Sequence, residues 1–393
     1  MSERACNILI MGVSCFDGMA SSMRVRNLVE PLVQKKLITA SNLIYQKDNK
    51  EPIGNEGVKN DIRYKVIGFR LRNIFSVFPF LYKGLSFIRA SRLKQSKNIL
   101  YNYNYPDIKN IFFILYAKMI GYKVIFDIIE DNNYQAHTGF VNKFRLKTSL
   151  FIFRFSKYFA NAMIGISNHL YELIQKSFNN KVPAYLIPIT VNLQYFKVDN
   201  KIDENNKNLK IFYGGSFGQK DGLEYLISAF DEVANSHPGI ELIFSGLAHT
   251  QDFEKITQQI EKAKNKNRII YKGYLSTREY YNTLNACDIF CMTRVNSKFA
   301  NAGFPFKLGE FLASGKAVIA TSVGDVPAYL HNEKNALLIA PESVEEIATA
   351  LNKLINNPGM RKELGYEARK TAEQNFDSEK ISNNLLSIFN SVL

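Results

Sequence analysis

Lys307 and Glu310 stand one helical turn apart in FPFKLGEFLASGKAVIA (304–320), just behind a loop that contains Gly303 and Pro305. Phe306, Phe311 and Leu312 give 305–313 the apolar spacing of a short helix, and Ser-Gly then ends it before a β-branched run. Charges near a helix start are either solvated decoration or the walls of an anion site, because unpaired amides and the helix dipole favour negative charge there. Lys220 has a similar setting in YGGSFGQKDGLEYL (213–226), behind Gly214, Gly215 and Gly218 and before a helical pattern. In the first half, MGVSCFDGMASSMRVRNL (11–28) places Gly12 and Gly18 ahead of a helix that carries Arg24 and Arg26. Neither glycine loop reads as a dinucleotide fingerprint or a P-loop, so each suits an ordinary turn as well as a phosphate. Acid–base candidates are Glu130 and Asp131, at the end of VIFDIIED (124–131), and His137 in the loop that follows. The acidic pair also suits a cap of the next segment, and His137 also suits a plain surface position.

The elements that would position these groups alternate along the chain. Strand candidates in the first half are 7–13, 38–45, 62–69, 98–103, 123–129 and 162–167. After a polar, strand-poor stretch at 197–208, a fresh series runs 209–215, 240–246, 268–273, 288–292 and 316–321. Longer amphipathic segments separate the strands, which predicts parallel sheets covered on both faces. The tail 343–393 is helical, and Pro358 suits a first helical turn. The expectation is an α/β protein of two doubly wound, Rossmann-like domains. Ligands of such sheets sit beyond the carboxyl ends of the strands, where both glycine loops fall. The expected boundaries are 1–190 for the first domain, 191–208 for a crossing or linker, and 209–376 for the second domain. Residues 377–393 are expected to form a C-terminal helix packing back on the first domain.

A chain of 393 residues with 46% hydrophobic residues suits two domains with sizeable cores. It has no apolar run approaching the ~20 residues of a spanning helix, and MSERACNILIMGV lacks the features of a signal peptide. The expected location is therefore cytoplasmic. Cys6, Cys15, Cys287 and Cys291 lack metal-ligand spacing and read as reduced core residues, and no metal is expected. The net charge of +14 is uneven: residues 1–200 carry 28 Lys/Arg against 13 Asp/Glu, and residues 201–393 carry 22 against 23. Nine cations and no carboxylate lie between Asp61 and Asp107, interleaved with aromatics in FRLRNIFSVFPFLYKGLSFIRASRLK (69–94). A second acid-free run, 132–171, repeats that composition. Such stretches suit an anionic membrane surface, a nucleic-acid patch, or core helices with a solvated basic face.

The order of features in the second half is more specific than any one of them. YGGSFGQKDGLEYLISAFDEV, PGIELIFSG, RIIYKGYLSTREYYNTLNACDIFCMTR and FPFKLGEFLASGKAVIATSVGDVPAYL together resemble the nucleotide-sugar-binding domain of glycosyltransferase family 4. The likeness extends more weakly to DGMASSMRVRNLVEPL, VIFDIIED, AMIGISNHLYELI and IPITVNLQYF. That resemblance implies the GT-B fold, two Rossmann-like domains facing a cleft, and a retaining transfer of sugar from a nucleoside diphosphate. It also implies that Glu310 is the second Glu of a Glu-x7-Glu motif and holds the nucleotide ribose. The amides at the start of that helix would hold the diphosphate, with Lys307 and Lys220 neutralising its charge without a metal. Ala302 stands where the first Glu belongs, so its contact with the donor sugar would pass to Asn301 or to the amides of Gly303 and Phe304. Ser216, beside Gly215, replaces a phosphate-binding Arg, for which Arg294 is the candidate substitute. In the first domain the resemblance implies acceptor binding. Glu130, Asp131 and His137 are the catalytic candidates there, and Gly18 with Arg24 would meet an acceptor phosphate.

The expected function is a hexosyltransferase acting in bacterial surface polysaccharide synthesis, such as capsule or O-antigen, on a lipid-linked or saccharide acceptor. It would sit peripherally at the inner membrane face through its first domain, with no nucleic-acid partner. The alternatives are a sugar-nucleotide epimerase of the same fold, a catalytically silent relative, and a non-enzymatic protein that binds anionic surfaces or nucleic acid. No recognised nucleic-acid module supports the last of these.

Overall fold

The computed structural model describes residues 6–16, 20–45, 53–68, 77–134, 139–197, 208–218, 220–247 and 250–392. Gly18, His137, the linker 198–207, and Phe69, Arg70, Arg72 and Phe75 of the basic aromatic stretch lie outside the described residues. The chain forms two compact units, Met1–Thr190 with Ser378–Leu393, and Val191–Asp377.

The first unit runs β1 (Cys6–Met11), α1 (Ala20–Gln34), β2 (Ile38–Tyr45), β3 (Glu56–Lys59), β4 (Ile62–Ile67), α2 (Val77–Ala90) and β5 (Lys97–Tyr103). It continues with α3 (Ile111–Met119), β6 (Lys123–Ile128), α4 (Phe140–Phe155), β7 (Ala162–Gly165), α5 (Asn168–Phe178) and β8 (Ala184–Leu186). The strands pair in the order β3-β4-β2-β1-β5-β6-β7-β8, parallel except for the β3–β4 hairpin. Every residue of β1 is buried, as expected for a strand covered by helices on both faces. The chain reverses direction across the sheet between β2, β1 and β5, so the loop after β1 lies at the switch point where such sheets bind ligands. That loop must pass close to β5. Gly12 has φ +85°, and a Cβ there would lie 2.6 Å from the Tyr103 carbonyl, so a side chain is excluded. Asn42 on β2 fixes the same loop, donating to the Ile10 and Val13 carbonyls and accepting from the Cys15 amide.

The second unit runs β9 (Lys210–Gly214), α6 (Leu223–Ala234), β10 (Glu241–Ser245), α7 (Thr250–Lys262), β11 (Ile269–Tyr271), α8 (Thr277–Asn285) and β12 (Ile289–Met292). Next come α9 (Lys298–Ala302), α10 (Phe306–Ala313), β13 (Ala317–Thr321), α11 (Val326–Tyr329), β14 (Leu337–Ile339), α12 (Val344–Asn356) and α13 (Pro358–Asn375). Its parallel sheet has the order β11-β10-β9-β12-β13-β14, so the loop after β9 is again at a switch point. One core holds Ile211, Leu226, Phe230, Phe244, Ile319 and Leu351 between strands and helices. The last helix, α14 (Ser378–Ser391), belongs to the first unit. Ile381, Leu385, Ile388 and Phe389 join the core of β1 and α1, and Lys97 Nζ donates to the Asn390 carbonyl at 2.7 Å.

The α/β reading holds, with differences at the margins. Glu56–Lys59 is a strand that its polar composition hid; it pairs through a turn whose Asn60 and Asp61 both have positive φ, the conformation of a two-residue hairpin. β8 and β14 have three residues each, too few for periodicity to register. Of the aromatics in 77–94, Phe80 and Phe87 point into the core while Phe78 and Tyr82 are exposed, so α2 has both an inner and an outer aromatic face. All four cysteines are buried and none is in a disulfide.

Candidate active site

In the second unit, α10 starts at Pro305, which supplies no side-chain cap. The Leu308 amide bonds to the Pro305 carbonyl, but among the described residues the amides of Phe304, Phe306 and Lys307 have no hydrogen-bond partner. Open first-turn amides and the adjacent Lys307 ammonium make this an anion-accepting corner. Glu310 is only 3% exposed, and its two oxygens accept from Tyr280 at 2.8 Å and Tyr281 at 3.2 Å. Lys307 Nζ donates to the Tyr280 hydroxyl at 3.0 Å and lies over its ring, 4.1 Å from the centroid. The result is a chain of polarised bonds from ammonium to phenol to carboxylate. Burial, and then the Glu310 charge, hold the Tyr280 phenol well above its ordinary pKa, so it stays protonated as a donor. Tyr281 is stacked on Tyr195, with centroids 4.3 Å apart and planes at 13°. An ionised carboxylate has about four acceptor positions, and the two phenols occupy two of them.

The loop after β9 is sewn to the loop after β12. Gly222 has φ +63°, and a Cβ there would lie 2.1 Å from the Thr293 carbonyl. Thr293 Oγ1 donates to the Gly222 carbonyl at 3.0 Å, and the Val295 amide donates to the Lys220 carbonyl at 3.1 Å. Lys220 Nζ lies over the Phe299 ring at 4.6 Å. Asp221 Oδ2 accepts from Ser216 Oγ at 2.7 Å and from the Gly218 amide at 3.1 Å. Ser216 Oγ and the Gly218 amide are therefore engaged within the loop. Gly215 belongs to the same turn, where its amide donates to the Ser245 carbonyl. Arg294 is 8% exposed, and its charge opposes the burial-driven rise of the Tyr213 phenol. Gly303 is buried, and the Phe304 side chain packs against Tyr329 and Phe376 rather than facing a ligand. Asn301 Nδ2 donates to Asn296 Oδ1 at 2.7 Å.

In the first unit the expectation for Arg24 is corrected. It is 1% exposed and grips Asp127 with two bonds of 2.7 and 2.8 Å, while donating to the Pro188 and Ile187 carbonyls. Tyr101 donates to the same carboxylate at 2.5 Å. With every bond directed inward, Arg24 fastens α1 to β6 and to the chain leaving β8, and it is not an acceptor ligand. Glu130 is half-buried. Burial, then Asp127 and more weakly Glu130, hold the Tyr103 phenol well above its ordinary value. Asp131 is 2% exposed and does cap a turn, accepting from the Asn133 amide. Its other oxygen meets His169 Nε2 at 2.9 Å. The sequence reading missed His169, Tyr280, Tyr281 and Asp221. Only Asp221 carried a local signal, an Asp-Gly turn behind Lys220.

The same unit carries an outward apolar stripe on α4. Phe140, Phe144, Phe151 and Phe155, continued by Tyr158, are all exposed and recur at helical spacing opposite buried Ser149 and Phe153. Lys143, Lys147 and Arg154 are exposed along one flank, and no carboxylate lies between Asp131 and Glu172.

Residues 195–371 match the family model for Glycosyl transferases group 1. The capsular polysaccharide biosynthesis glycosyltransferase CapM of Staphylococcus aureus is 24% identical over 245 residues, covering 60% of this chain and 62% of CapM. The aligned region thus spans about three fifths of that relative's length. The fold extends over the whole chain. A sucrose-phosphate synthase from Thermosynechococcus elongatus superposes with a TM-score of 0.74 at 17% identity, covering 98% of each chain. Anabaena HepE, in a structure with UDP-glucose, superposes with a TM-score of 0.70 at 16% identity, covering 98% of this chain and 99% of HepE. The second half of the chain thus matches the group 1 glycosyl transferase model, and the whole chain shares the fold of these solved structures.

Proposed function

We infer that the protein transfers a sugar, with retention, from a nucleoside diphosphate to a lipid-linked acceptor during surface polysaccharide assembly. The observation that carries the reading is the start of α10, where three open amides and Lys307 form an anion corner beside the Glu310 carboxylate. A diphosphate fits such a corner because helix-end amides and a lysine stabilise its charge directly, and the departing nucleoside diphosphate needs that stabilisation most. No resident metal is required by this scheme. Glu310, pre-oriented by two phenols, would use its remaining acceptor positions for a ribose diol. The UDP-glucose in HepE and the polysaccharide role of CapM support this donor chemistry and this biological setting.

The lipid acceptor is supported by α4, whose apolar stripe and basic flank suit the headgroup boundary of an anionic membrane. No helix among the described residues is long and apolar enough to cross a bilayer, so the association would be peripheral. The test is release of nucleoside diphosphate from a panel of nucleotide sugars, with and without polyprenyl-diphosphate-linked saccharide, in buffer containing EDTA. Acceptor-dependent release that survives the chelator supports the reading. Isomerisation of the free nucleotide sugar without acceptor would point to an epimerase instead. Activity restored only by manganese would overturn the metal-free scheme.

A further inference from the structure

We propose that the Tyr280 hydroxyl is a spacer that keeps Lys307 and Glu310 from pairing with each other, so that ammonium and carboxylate both stay open to one nucleoside diphosphate. The proposal rests on the reading of the α10 start as the donor-nucleotide corner and adds a positioning residue to it. Every group involved belongs to the second unit. Lys307 and Glu310 are three residues apart on α10, the spacing at which opposite charges meet on a helix surface. They do not meet here. Lys307 Nζ lies 3.8 Å from Glu310 Oε2, beyond hydrogen-bond reach, and the Tyr280 hydroxyl, carried by α8, bridges the two.

The direction of both bonds is fixed by chemistry. An ammonium only donates and a carboxylate only accepts, so the phenol must accept from the first and donate to the second. It does so at 3.0 and 2.8 Å. Burial, and then the Glu310 charge, keep the phenol protonated and fit for the donor part. The ring is itself held by aromatic edges, with centroid distances of 6.3 Å to Phe212 and 5.4 Å to Tyr281. The lysine stem passes the end of β9, where a Cβ on Gly214 would lie 3.8 Å from Lys307 Cδ. The ammonium then comes to rest over the Tyr280 ring, 4.1 Å from its centroid.

Opposite charges this close attract strongly where little water screens them. With the hydroxyl in place, its bonds use one of three ammonium donors and one acceptor position of the carboxylate. The remaining positions can serve phosphate oxygens and a ribose diol. Without the hydroxyl, the ammonium is drawn onto the carboxylate one turn along α10, and each charge neutralises the other instead of a ligand. Tyr280 thus sets the affinity of the corner without touching the nucleotide.

The experiment titrates UDP, GDP and ADP by calorimetry into full-length wild type, Tyr280→Phe, Lys307→Met and the double variant. Phenylalanine keeps the ring and removes only the hydroxyl. Whichever nucleotide binds the wild type should bind Tyr280→Phe about tenfold or more weakly, the scale of a lost hydrogen bond to a charged group. In the Lys307→Met background no ammonium is left to collapse, so the same change should weaken binding less than about threefold further. A crystal structure of ligand-free Tyr280→Phe should show Lys307 Nζ within hydrogen-bond reach of Glu310. Equal affinity of wild type and Tyr280→Phe overturns the proposal. So do losses that multiply in the double variant, which mark a role in packing alone, and a variant structure in which Lys307 stays clear of Glu310. If the wild type binds none of the three nucleotides, the reading of the corner itself fails and takes the spacer with it.

Discussion

Glu310 is held by two tyrosines, and that changes what its removal should do. In Glu310→Ala the buried Tyr281 hydroxyl loses its acceptor, and Lys307 and Tyr280 lose the carboxylate that polarises them. Hydrogen bonds to a charged group are worth roughly 1.5–3 kcal/mol each. The variant should therefore bind nucleoside diphosphate at least tenfold more weakly and also unfold at lower temperature, both readable in one thermal-shift titration. An unchanged midpoint with unchanged affinity would separate Glu310 from both roles. Arg24 makes the opposite prediction. Breaking a buried ion pair by removing one partner costs roughly 3–5 kcal/mol. Arg24→Ala should lower the stability of the first unit by about that amount in urea and leave nucleotide affinity intact. A stable Arg24→Ala protein with impaired acceptor use would restore it to the acceptor site.

At the scale of elements, the strand series was legible because parallel strands covered on both faces are runs of β-branched and apolar residues. The reading 38–45 coincides with β2, and 98–103 starts one residue inside β5. What escaped was short or polar, such as β3, or depended on partners distant in sequence. Glu310 meets Tyr280 across 30 positions, Asp131 meets His169 across 38, and Arg24 meets Asp127 across 103. Local periodicity carries no information about such pairs. The helix bearing Lys307 and Glu310 was visible; the filling of Glu310 by phenols was not. Composition drew attention to two acid-free runs, 69–94 and 132–171, and among the described residues the outward apolar stripe of α4 falls in the second of them. Each cation near an anionic bilayer contributes about 1 kcal/mol, and the phenylalanines add apolar burial at the headgroup boundary. Wild type should co-sediment with vesicles containing phosphatidylglycerol. Phe144, Phe151 and Phe155 changed together to Ser should abolish this, and Lys143, Lys147 and Arg154 changed to Gln should weaken it most at low salt. Equal sedimentation of all three proteins would remove α4 from the account.

For the whole molecule, two sheets built on the same plan divide the groups that could do chemistry. The second unit gathers cations, open amides and a carboxylate at the carboxyl edge of its sheet, which suits a nucleoside diphosphate. The first brings a carboxylate–imidazole pair to its own carboxyl edge and carries a basic, apolar outer helix. Its charge excess of fifteen positive over the first 200 residues, against one negative over the rest, matches that division. The central claim is that the start of α10 holds a diphosphate. Isothermal titration of the protein with UDP, GDP and ADP in EDTA, alongside Lys307→Met, tests it most directly. The account predicts saturable one-to-one binding of at least one of the three, weakened about tenfold or more in Lys307→Met. That ratio corresponds to losing roughly 1.4 kcal/mol of charge interaction. No binding by the wild type, or equal affinity in the variant, would contradict it.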